Sequence, residues 1–137
     1  MADTIDDLIQ RLEAATEPSR ELDRMICLHI GWTLKKMKGD ARPYFRKPGV
    51  TEYYMRSEPP AFTASIDAAT YLAGPGFWEV SGPRRYLEIP TSVPNHWRAN
   101  FTPFDERNIT VCGWGATEAL ARCSAALRAR RATEAQR

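Results

Sequence analysis

The residues of this 137-residue chain best suited to bond-making chemistry are few: two histidines, His29 and His96, and three cysteines, Cys27, Cys112 and Cys123. A thiol nucleophile needs a base within hydrogen-bond reach. A Cys112–His96 dyad can be drawn, but nothing in the spacing requires it. No G-x-S-x-G, H-E-x-x-H or P-loop pattern occurs. Asp105 and Glu106 are adjacent acids in a loop before a strand, and one dipeptide does not make a metal-ligand set. The cysteines are odd in number and scattered, without a C-x-x-C pair, so neither a zinc site nor a disulfide framework is expected. These residues lead to an expectation of no catalytic residue, no metal and no cofactor. Binding, not turnover, is the expected mode of action.

A binding chemistry is easier to find. Residues 32–56 carry seven bases and two acids, net +5, whereas residues 1–31 are net −4 and the whole chain is only +2. Lys35, Lys36, Arg42, Arg46 and Lys47 are interleaved with Tyr44, Phe45, Tyr53 and Tyr54. Aromatic faces stack on bases, and Arg and Lys neutralise phosphate or pair with carboxylates. Arg84 and Arg85 beside Tyr86, and Trp97 beside Arg98, repeat the pairing further on. Such a set suits an acidic protein surface, a nucleotide-type small ligand or, less well, a nucleic acid, for which a larger or more concentrated basic excess is usual. The same residues would also serve a plain structural purpose, with rings anchoring a Pro-rich loop while the bases face water.

Elements that would position these residues follow from periodicity and punctuation. Thr4 with Asp7 forms a capping box before a first helix, whose stripe is Ile5, Leu8, Ile9, Leu12 and Ala15. Ser19 caps a second helix with Leu22, Met25, Ile26, His29 and Ile30 on its buried face, and Gly31-Trp32 reads as a Schellman ending. The pair is a helical hairpin. Trp32–Met37 is expected as a strand, then a long loop to Pro60 with short extended pieces at Tyr44-Phe45 and residues 52–55. A third helix runs from Ile66 to about Ala73, with Ile66, Ala69, Leu72 and Ala73 inward, and Gly74-Pro75-Gly76 ends it. Phe77–Val80 is expected as a strand, Ser81-Gly82-Pro83 as a turn and Arg85–Ile89 as its hairpin partner. Trp97–Phe101 and Ile109–Trp114 continue the meander. Thr117 caps a last helix with Leu120, Cys123, Ala126 and Leu127 inward.

The fold class that follows is α+β: a largely antiparallel sheet of three to five strands packed between helices, with an N-terminal helical hairpin and a C-terminal helix. One domain spans residues 1–132, with 133–137 as a frayed tail. Trp78, Trp97 and Trp114 lie on or near the sheet. They either join the core or form an exposed patch favouring a homodimer. The acidic N-terminus lacks the apolar run of a secretory signal, and no segment has membrane-helix character, so a cytoplasmic protein with no membrane partner is expected.

Three blocks also carry a resemblance. They are residues 7–15 with Pro18–Asp23 and Gly31-Trp32, then Pro60–Ala69, then Gly115–Arg128. Together they resemble the phage ABA-sandwich domain family, small proteins of phages and prophages. The resemblance implies an α-β-α layering and a phage or prophage origin, and it implies no catalytic residues. Residues 35–58 and 83–108 match least, and there a function would be most individual. The expected partner is a host defence protein, for example of a CRISPR-type system, which the protein would inhibit. Sequestration of a nucleotide-derived immune signal is the alternative, and nucleic-acid regulation a third.

Overall fold

The computed structural model describes residues 4–35, 44–46, 59–84, 96–105 and 108–135. Their order is α1 (Ile5–Ala14), α2 (Arg20–His29), β1 (Thr33–Lys35), β2 (Tyr44–Arg46), α3 (Ile66–Ala73), β3 (Gly76–Arg84), β4 (His96–Pro103), β5 (Val111–Gly115) and α4 (Glu118–Ala135). The chain is α+β, with the helical hairpin first, the antiparallel sheet β3-β4-β5 and a helix last, as expected from the sequence.

Helix ends form where local chemistry asks for them. Thr4 and Asp7 complete the capping box of α1, Ser19 accepts from the Leu22 N–H, and Ser65 accepts from the Ala68 N–H. Thr117 does the same for the Leu120 N–H at α4. At the end of α2, Gly31 has φ of 99°, and the Trp32 N–H reaches the Cys27 carbonyl at 3.0 Å. That is the six-to-one bond of a Schellman motif, which needs a residue at ease with positive φ.

α4 is the middle layer among the described residues. One side, with Leu120, Cys123, Ala126 and Leu127, packs on Leu8, Ile9, Leu12, Leu22, Ile26, Phe62 and Leu72. The other side, Ala121, Ala125 and Ala129, packs on Ala99 and Phe101 of β4. The sheet therefore carries α4 on one face, while α1 and α3 pack on α4 and also touch the sheet, α1 at His96 and α3 through Ala73. A stripe of alanines lets the strands approach closely. A Cβ placed on Gly113 would sit 2.6 Å from the Ala121 carbonyl oxygen, and one on Gly115 would sit 2.6 Å from the Ala121 nitrogen.

Several sequence expectations change in detail. The strand from Gly76 runs on through Ser81-Gly82-Pro83 to Arg84, with an irregularity in pairing between Ser81 and Arg84, so no turn forms there. A bulge absorbs the glycine and proline without ending the strand. The partner of β3 is β4, with Trp78 opposite Phe101 and Val80 opposite Ala99. Arg85–Ile89 lies outside the described residues. Of the strand expected over Trp32–Met37, β1 covers Thr33–Lys35, and Lys36, Met37 and residues 52–55 lie outside the described residues. His29 is exposed, and Asp23 and Cys27 are buried in its stead. The buried face of α2 is rotated toward Asp23 because Thr63 satisfies that carboxylate. Ile66, at the first position of α3, is exposed as well. α4 continues to Ala135, so residues 133–135 are helical, where a frayed tail is expected.

Candidate functional site

Of the basic, aromatic stretch, the described strands form the β1–β2 ladder. Trp32 packs against the helical core directly before β1, and so roots the hairpin on the end of α2. In the antiparallel register, Lys35 stands across from Tyr44, Leu34 from Phe45 and Thr33 from Arg46. This ladder is separate from the three-stranded sheet among the described residues. Lys36, Arg42, Lys47, Tyr53, Tyr54 and Arg85 lie outside the described residues. Arg84 is on the other sheet, in register with His96.

Trp97 and Arg98 do not act as a pair. Successive strand residues point to opposite faces. Trp97 packs on the cluster shared with α4, as does Trp78. Arg98 turns the other way and donates from Nε to the Cys112 sulfur at 3.2 Å. His96 and Cys112 do not meet either. Cys112 is opposite Asn100, four residues along β4 from His96, roughly 13 Å at ~3.3 Å per residue.

Among the described residues, polar side chains gather in three knots. In the first, the fully buried Asp23 accepts from the Thr63 N–H and hydroxyl, both at 2.8 Å, and from Arg20 Nη1 at 2.8 Å. Arg20 also donates to the Pro59 carbonyl. In the second, Glu13 accepts from Arg128 Nη2 at 2.8 and 3.0 Å and from the Ser124 hydroxyl at 2.6 Å. Its backbone carbonyl meets His96 Nε2 at 3.3 Å. The Arg128 guanidinium lies 5.5 Å from the Trp114 ring centre. In the third, Arg122 is 4.7 Å from the Trp78 ring centre, bonds Glu118 at 2.8 Å and reaches the Thr70 hydroxyl.

These knots tie elements together and present no nucleophile. Ser124 is fully buried and gives its proton to a carboxylate. Cys27 and Cys123 are buried thiols. Burial, with the Asp23 carboxylate as a smaller cause, pushes Cys27 up to about 12 and raises Cys123 further. A thiol held protonated is a poor nucleophile. Among the described residues no group of three His, Cys, Asp or Glu side chains could hold a metal ion. None of the described helices is long and apolar enough to cross a membrane.

No family model matches the chain, and neither a curated protein nor a solved structure matches it.

Some of the most connected side chains were not signalled by the sequence. Ser124 and Arg128 share a face of α4 one turn apart, which is visible, but their partner Glu13 is more than a hundred residues away. Phe77 and Phe104 form an exposed edge-to-face pair with centroids 4.7 Å apart. Phe104 follows the end of β4, where no periodicity indicates a partner.

Proposed function

We propose that this protein is a non-enzymatic phage or prophage accessory protein that inhibits a host defence system by binding one of its proteins. The contact surface is the stretch from Lys35 to Arg56 together with Arg84 and Arg85. The observation that carries the reading is the β1–β2 ladder, a basic hairpin outside the main sheet with Lys35 across from Tyr44. Cationic groups on such a hairpin attract an acidic partner face and set its orientation. Tyrosine and phenylalanine supply the large, desolvated contacts that dominate interface energy. The resemblance to small phage proteins supports the choice of a host defence protein as partner.

The test is immunity in a living host. Bacteria carrying a CRISPR-type system directed against a phage are plated with and without this protein. Restored plaque formation, lost again with Tyr44→Ala or Arg46→Glu, is the expected result. Unchanged immunity across a panel of defence systems overturns the reading. Thermal melting with a nucleotide panel runs beside it. A rise at millimolar nucleotide reflects ligand bound to the folded state and moves the assignment to a sponge for an immune signal.

A further inference from the structure

Two of the three polar knots share one design: a guanidinium held between an aromatic ring and a carboxylate. Arg122 lies between Trp78 and Glu118, and Arg128 between Trp114 and Glu13. A cation over a ring face gains from the ring quadrupole, and the carboxylate behind it adds a charge-assisted bond.

On the sheet face turned away from α4, the pair Phe77 and Phe104 has carboxylates beside it in the chain and, among the described residues, no guanidinium over its rings. Phe77 and Phe104 are 58% and 46% exposed and contact each other. Glu79, two residues along β3 and so on the same face as Phe77, is exposed, and Asp105 follows Phe104 and is exposed too. Glu79 and Asp105 meet no cation among the described residues. Arg98, further along this face, is engaged with Cys112.

The geometry points to this face as a docking site for an arginine-bearing segment of a partner protein, whose guanidinium completes the arrangement over Phe77 and Phe104 against Glu79. Lysine fits less well, because its compact ammonium neither stacks on a ring nor bonds a carboxylate through two parallel N–H groups. The site is opposite in sign to the basic hairpin, and its standing does not depend on the function proposed above.

Fluorescence polarisation with a labelled Gly-Arg-Gly-Arg-Gly peptide tests it, with lysine and citrulline versions alongside. The arginine peptide is expected to bind tightest and the citrulline peptide not at all. Glu79→Gln and Phe77→Ser, both at exposed positions, are expected to weaken binding at least about tenfold. Glu21→Gln on α2 is expected to leave it unchanged. No binding of the arginine peptide overturns the proposal. So does equal binding of the lysine peptide, or arginine binding that Glu79→Gln and Phe77→Ser leave intact.

Discussion

Thr63 gives both its backbone N–H and its hydroxyl to one oxygen of Asp23, each at 2.8 Å, in a position closed to solvent. Arg20 holds the other oxygen, and the Thr63 hydroxyl oxygen in turn accepts from the Ser19 N–H. A buried carboxylate is tolerable only when its lone pairs are met in this way. The contact fastens the start of α2 to the turn before α3, some forty residues along the chain. Asp23→Ala leaves Thr63 with a buried donor and no acceptor. It is expected to cost about 3 kcal/mol, read as a lower urea midpoint at unchanged slope. Thr63→Val should cost less, because the backbone N–H bond survives.

Close approach of β5 to α4 makes Gly113 the least replaceable glycine described. Its missing Cβ leaves room for the backbone at Ala121 and Ala125, which cannot move without shifting the whole helix. Gly113→Ala is expected to destabilise by about 3 kcal/mol or more, and Gly82→Ala, which meets open space, by far less. Thermal melting of the two variants side by side checks this.

Glu13 ties α1 to α4 by its carboxylate and to β4 by its carbonyl. Glu13→Ala strands the Ser124 hydroxyl and the half-buried Arg128 guanidinium, at an expected cost of about 2 kcal/mol. Asp6, whose carboxylate meets Arg131 at the exposed end of the same helix pair, should be nearly neutral on replacement by Ala. Chemical denaturation of both variants separates them.

Thiol chemistry should rank the cysteines. Cys112 is half-buried, whereas Cys27 and Cys123 are enclosed. A thiol reagent at neutral pH is expected to modify Cys112 in the folded protein, and the other two only after denaturant is added. Alkali gives a second readout. Below the ordinary thiol range both states keep the Cys27 proton, and its contribution to stability is complete. As pH rises past that range the unfolded chain ionises first, so stability falls until the folded thiol itself ionises near about 12. Cys27→Ala should flatten that part of the stability–pH curve.

Local chemistry was readable at the level of single residues. Thr4, Ser19 and Thr117 cap the helices expected of them, because a cap depends on a side chain and a backbone N–H only three residues away. The stop at Gly31-Trp32 is local for the same reason. Expectations that needed a distant neighbour fared differently. Period alone turns His29 inward, yet in the fold it is exposed, and Asp23, bonded to the distant Thr63, is buried. The Ser81-Gly82-Pro83 run has turn composition, yet pairing with β4 carries the strand through it.

The same boundary divides the candidate sites. An excess of bases among tyrosines in residues 32–56 is a property of composition, and the β1–β2 register adds which residues stand across from which. Element types, caps and the charge asymmetry were set along the chain, since each depends on neighbours within a turn or a strand. The double-sided burial of α4, the meeting of Glu13 with Ser124 and Arg128, and the pairing of Phe77 with Phe104 arose on folding. Each depends on which surfaces are brought together in space, and no local pattern encodes a partner that lies in another element.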